Sequence, residues 1–294
     1  MTMKNVLFPT DFSDAADYAK KAAFKLCKKH NLTLHVMNSL DNVHRYVSMS
    51  MTNAGDPSVP GFEPELMLEA MKEHKKQAEK DLLELKQEAE KAGIQIEGHL
   101  KSGRMHDDVQ EVVEKFDIDF VIMGTHGASG FEEAFIGSNA QKVVRSSKVP
   151  VLTIKPVEEN DSFDVKRIVF ASDFVEEEIN KEIPKVRAFA NFLEASLEVV
   201  YINTPSYFEQ TVDSEKRIRK VLDNNSMHDV KFTIFNDFNI DDGIVNFADH
   251  VDADVIALIT HGFSGLKKFL NDNITETVVN HSSRPVLSFH VPKD

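Results

Sequence analysis

The chain has 294 residues, a formal net charge of −14 and one cysteine, Cys27. That length suffices for two ordinary domains with ample core. The acidic balance argues against nucleic acid or an anionic membrane as partner, because both need a positive field. A lone cysteine excludes an intrachain disulfide and a multi-cysteine metal cage.

The N-terminus runs directly into an apolar stretch, without a charged region followed by a hydrophobic one. No segment is apolar for long enough to span a bilayer, and a cytoplasmic location is the expectation. Asn5-Val-Leu-Phe8 reads as a buried strand, followed by Pro9-Thr10-Asp11-Phe12-Ser13. Ser13 can cap a helix on which Ala16, Ala19, Ala23 and Leu26 form one stripe, with Cys27 buried among them. Leu32 to Met37 gives a second strand, and residues 41 to 62 an irregular excursion. A long amphipathic helix is predicted from about Pro64 to Ala92, with Met67, Met71, Ala78, Leu82, Leu85 and Ala89 inward and Gly93 as its stop. Ile94 to Leu100 alternates as a strand, and Asp107 to Lys115 is helical.

Phe120 to Met123 is a fourth strand, and glycines then cluster: Gly124-Thr125-His126-Gly127-Ala128-Ser129-Gly130, and Gly137-Ser138-Asn139-Ala140. Ala140, Val143 and Val144 share a helical face, and Pro150 to Ile154 forms a fifth strand. Strand, glycine loop and helix N-terminus is a layout that binds phosphate. Glycines allow close backbone approach, and the first helical N–H groups lack intrahelical partners. Local N–H groups can hold phosphates against an unfavourable net charge. The spacing is neither the Rossmann fingerprint nor the Walker A loop. Alternating strands and helices imply parallel βαβ units, whose ligands sit beyond the C-terminal strand ends. Pro9 to Asp11, Val36 to Ser39 and the glycine loop should converge there.

Lys155-Pro-Val-Glu-Glu-Asn-Asp-Ser162 reads as a linker, after which the pattern restarts. Arg167-Ile-Val-Phe-Ala-Ser-Asp-Phe174 answers Asn5 to Phe12, Leu197 to Thr204 answers Leu32 to Ser39, and Thr260-His-Gly-Phe-Ser-Gly265 answers Thr125 to Gly130. Pro285-Val-Leu287 answers Pro150 to Leu152. The predicted architecture is two tandem α/β domains, residues 1–156 and 165–294 joined by 157–164. Each would be an open parallel five-stranded sheet of order 3-2-1-4-5, Rossmann-like and flanked by helices. The last strand of each sheet is an exposed edge.

The glycine spacing in this context, carried by two copies, resembles the ATP-binding branch of the universal stress protein family. The resemblance implies a stress-response regulator or signalling module that binds ATP, ADP or AMP, with Mg²⁺ or Mn²⁺ on the phosphates. Pro9, Thr10 and Asp11 match the segment lining the adenosine end, and Val36 the position whose backbone contacts adenine. Gly124, Thr125, His126, Gly127, Ala128, Ser129 and Gly130 match the loop around ribose and phosphates. Gly137, Ser138, Asn139 and Ala140 match the helix start at the outer phosphates. An Asp after a strand also serves simply to cap its own loop, and Asp11 is open to that reading. Related single-domain proteins pair through the edge strand, so an intrachain pseudo-dimer is implied here, and a homodimer of chains remains open.

The second copy departs from the pattern. With the glycine loops aligned, Ile259 replaces Gly124, Asp272 replaces Gly137 and Asn273 replaces Ser138, while Ala171 answers Pro9. A carboxylate about 6 Å from a phosphate charge costs about 3 kcal/mol before screening, at an effective dielectric of about 20. One nucleotide per chain is expected, in the first half. Efficient catalysis is not: there is no Walker A lysine and no evident general base, which leaves slow ATP hydrolysis or a purely scaffolding role as alternatives. The histidines, His30, His35, His44, His99, His106, His126 and His261 among them, show no metal-binding spacing and read as satisfied or exposed.

Overall fold

The computed structural model describes residues 3–40, 64–125, 138–156, 163–175, 177–261 and 272–291. The first half contains β1 (Asn5–Pro9), α1 (Asp14–His30), β2 (Thr33–Ser39), α2 (Pro64–Lys91) and β3 (Gln95–Lys101). It continues through α3 (Met105–Lys115), β4 (Phe120–Gly124), α4 (Ser138–Ser146) and β5 (Val151–Ile154). The second half repeats the order: β6 (Arg167–Ala171), α5 (Glu177–Phe192), β7 (Ser196–Asn203), α6 (Thr211–Asn224) and β8 (Lys231–Asn236). It ends with α7 (Ile240–His250), β9 (Val255–His261), α8 (Asp272–His281) and β10 (Val286–Val291). The excursion at 41–62 and the linker at 157–162 lie outside the described residues.

Helices cover both faces of the sheet, so central strands are apolar on both sides. Val6 and Phe8 of β1 pack with Ala19, Ala23 and Leu26 of α1, whereas Leu7 packs with Val109 and Val112 of α3 and Val143 of α4. Ser13 caps α1, its Oγ accepting from the Ala16 N–H at 3.4 Å. Cys27 is buried in that layer, and desolvation pushes its thiol up to about 12.

Each half has the strand order 3-2-1-4-5, but the halves are not separate sheets. They form one ten-stranded sheet, β3-β2-β1-β4-β5-β10-β9-β6-β7-β8. β5 and β10 meet antiparallel, with Leu152 opposite Leu287, and every other strand pair is parallel. Each edge strand satisfies the other's ladder groups, and Thr153 Oγ1 adds a 3.1 Å bond to the Val286 carbonyl. Leu152 and Leu287 are equivalent residues of the two copies, so a pseudo-two-fold axis passes between them. Equivalent helices flank the same axis: Gln141 of α4 donates to the carboxylate of Glu276 in α8, and Arg145 pairs with that carboxylate. No helix among the described residues is long and apolar enough to cross a membrane.

Candidate functional site

In the first half, β1, β2 and β4 are parallel neighbours, so their C-terminal ends share one edge of the sheet. Pro9 ends β1. Thr10 is buried, its N–H donates to the Met37 carbonyl at 2.8 Å, and its hydroxyl accepts from the Phe12 N–H at 2.9 Å. That bond tightens a turn in which Phe12 is left-handed, with φ at 58°. Asp11 is exposed, and its Oδ1 accepts from the Ser13 N–H at 3.1 Å and the Ser13 hydroxyl at 2.6 Å. Asp11 therefore does cap its own loop.

Gly124 closes β4, and the buried Thr125 donates its N–H to the Ile154 carbonyl at 3.0 Å. Ser138 opens α4, Asn139 is half-buried, and Ala140 faces the core with Val143 and Val144. The N-terminal end of α4 thus follows β4 at the same end of the sheet. His126, Gly127, Ala128, Ser129, Gly130 and Gly137 lie outside the described residues.

Val36 lies on β2, between β1 and β3. It is fully buried in mid-strand, registered with Phe8 of β1 and Gly98 of β3. The strand ends three residues later, at Ser39, and the groups that reach the site belong to that end. Asn38 is buried, and its amide donates to the Thr10 carbonyl at 2.9 Å. Its Oδ1 has no hydrogen-bond partner among the described residues. Ser39 donates to the Asp108 carboxylate at 2.8 Å, which also accepts the Gly103 N–H at 3.1 Å. Burial pushes the Asp108 carboxyl above its ordinary value, against the pull of those two bonds. A Cβ at Gly103 would lie 2.5 Å from Asp108 Oδ1, so only glycine fits there without displacement. Two polar residues, Asn38 and Ser39, terminating an apolar run were the available signal in the sequence. Nothing in the spacing linked them to Asp108.

A cleft of about 210 Å³ opens beside Thr10, under α2, lined by Phe8, Phe12, Leu85, Lys20 and the carboxylates of Asp17, Asp81, Glu84 and Glu88. Its acidic wall repels phosphate but suits a neutral, amine-bearing group. In the second half the equivalent turn is packed against α6. Arg217 of α6 donates to the Asp173 carbonyl at 3.0 Å, pairs with Glu209, and lies over the Tyr201 ring at 5.2 Å. Ser214 holds Glu209 at 3.0 Å, and the Glu209 N–H is bonded to Asn203 Oδ1 at 3.1 Å. Ser172 and Phe174 repeat the Thr10–Phe12 turn, with Phe174 at φ 59°. The turn is thus kept in both copies, and the space beside Ser172, lined by Ala171, Asp173, Tyr201, Ile202, Ile240 and Ile244, is about 20 Å³.

A tandem α/β protein with Rossmann-like halves and its ligand edge at the C-terminal strand ends is the class that this fold and site define. The chain belongs to the universal stress protein family, whose model matches residues 2–155 and 186–290. A universal stress protein of Methanocaldococcus jannaschii is 33% identical over 157 residues, 52% of this chain and 94% of its own. A Synechocystis universal stress protein is 23% identical over 297 residues, covering 98% of this chain and all of its own. Among solved structures, a universal stress protein from Archaeoglobus fulgidus superposes with a TM-score of 0.71 at 18% identity, covering 99% of this chain and 100% of that one.

Proposed function

We propose that the chain binds one adenine nucleotide, ATP with Mg²⁺ or Mn²⁺ or else ADP or AMP, and acts as a stress-response regulator or signalling module. The binding unit is residues 1–156, joined by 157–164 to residues 165–294, which keep the fold and not the chemistry. The observation that carries this reading is the difference between the two turns: a cleft of about 210 Å³ lies beside Thr10 and one of about 20 Å³ beside Ser172, where Arg217 lies over Tyr201. The adenosine end lies toward Thr10 and Asn38, where the orphaned Asn38 Oδ1 is an acceptor suited to an exocyclic amine. The acidic cleft keeps the phosphates on the other side, toward the N-terminus of α4, whose free N–H groups favour anions. The divalent ion rides on the phosphates and needs few protein ligands. Asp11 Oδ1 is already committed to Ser13, which argues against its serving as a general base.

Mass spectrometry of nucleotide released from the purified chain, followed by phosphate release over hours, tests this reading. Bound adenine nucleotide with little or no turnover is expected. Absence of nucleotide and of ATP affinity would overturn the reading in favour of a scaffold.

A further inference from the structure

The register of β2 and β3 pairs His35 with Glu97 and Met37 with His99. Residues two apart on a strand share a face, and so do registered neighbours, so His35, Glu97 and His99 converge. His35 Nδ1 is 3.1 Å from His99 Nε2 and 3.8 Å from the Glu97 carboxylate. One potential ligand atom from each of the three lies within 4.8 Å of the other two. The ring planes are 5° apart and their centroids 5.3 Å apart. Because the centroids are more distant than the nitrogens, the rings meet edge to edge, nitrogen to nitrogen.

We propose that His35, Glu97 and His99 form a binding site for a divalent cation of the Zn²⁺ class, completed by water. A tetrahedral zinc with ligands at about 2.0–2.2 Å separates ligand atoms by about 3.3–3.5 Å. The observed nitrogen–nitrogen and nitrogen–oxygen separations bracket that range, so a small rotation of His99 and Glu97 turns the lone pairs onto a shared ion. Those two can rotate: Glu97 is exposed and His99 is only half-buried, on the outer strand of the sheet. His35, by contrast, is 3% exposed and provides the fixed ligand.

The surroundings suit a metal. Phe116 lies against both rings, with centroids at 5.3 Å from His35 and 4.4 Å from His99, and forms an apolar wall. Asn5 pins that wall by donating to the Phe116 carbonyl at 3.1 Å. Burial lowers both imidazoles, His99 to about 4, with Lys101 and Lys115 acting in the same direction and Glu97 opposing. The neutral imidazole is the form that ligates metal. The proton shared between the facing nitrogens moves to the outer nitrogen of the same ring, so no proton need leave. Two imidazoles with one carboxylate favour Zn²⁺ or Cu²⁺ over Mg²⁺, which prefers an all-oxygen shell. A bound ion would clip the outer strand β3 to β2.

The test is a Zn²⁺ titration of the full chain, stripped with chelator and free of nucleotide, with Mg²⁺ in excess. Saturable Zn²⁺ binding is expected in the wild type. Loss of an outer-shell partner alone typically weakens metal affinity about 10–100-fold, so His99→Gln should weaken it at least about 100-fold and Glu97→Gln at least about 10-fold. Circular dichroism checks that both variants fold, and the exposed Glu97 keeps the test usable if His99→Gln does not. Co²⁺ substitution should give a tetrahedral visible spectrum that both variants lose. No saturable binding by the wild type, or equal affinity in Glu97→Gln and the wild type, would overturn the site and leave a hydrogen-bonded histidine pair.

Discussion

The contact between Arg145 and Glu276 is the most exacting place to perturb the union of the two halves. The side chains are 19% and 12% exposed, and Gln141 donates to the same carboxylate. Removing one member of a buried pair costs about 3–5 kcal/mol, because the remaining charge stays desolvated. Slight water access lowers that, so Glu276→Leu should destabilise the chain by about 2–4 kcal/mol. Arg145→Met together with Glu276→Met should recover most of the loss, since a buried ion pair and an apolar pair of similar volume are often near equal. The exposed pair Lys80–Glu84, with side chains 65% and 63% exposed, provides the control. Breaking it should cost no more than about 0.5 kcal/mol. Urea unfolding, followed by two probes, measures all four chains. A cost for Glu276→Leu as small as the control's would refute the reasoning that this contact is buried and paired in solution.

Three further outcomes follow from named contacts. A lone N-terminal half, Met1 to Lys155, should form a homodimer by sedimentation, and Leu152→Lys should make it monomeric; a wild-type half that stays monomeric at high concentration would show that β5 does not drive pairing. A lone C-terminal half should pair less well, because Glu276 would face its own copy on the axis. Asp108 gives a pH signature: its folded pKa is raised, so the native state binds its proton more tightly than the unfolded chain. That contribution is present at acid pH and is lost as pH rises from 3.8 through the raised value. Asp108→Asn should flatten this part of the stability profile, and an unchanged profile would contradict the assignment.

Much of this molecule was legible in its sequence for one physical reason. Parallel strands covered on both faces are continuous apolar runs, and Asn5-Val-Leu-Phe8 and Arg167-Ile-Val-Phe170 show the repeat directly. The edge character of Val151–Ile154 and Val286–Val291 likewise followed from strand order. What was not legible depends on register between distant strands. His35 and His99 are 64 residues apart and meet only because β2 and β3 align Met37 with His99. The Ser39–Asp108–Gly103 contacts arise where β2 and β3 end and α3 begins. The packing of Arg217 in the second half needed side-chain geometry: it is an ordinary basic residue of an amphipathic helix until its guanidinium is seen over Tyr201.

On the function proposed above, one half of this chain binds nucleotide and the other does not. Calorimetric titration of the full chain with ATP and Mg²⁺ tests it most directly, with Gly137→Asp measured alongside. One ATP per chain is expected, with no measurable binding in Gly137→Asp, which adds a carboxylate to the segment proposed to hold the phosphates. Two equivalent sites per chain, or unchanged affinity in Gly137→Asp, would contradict it.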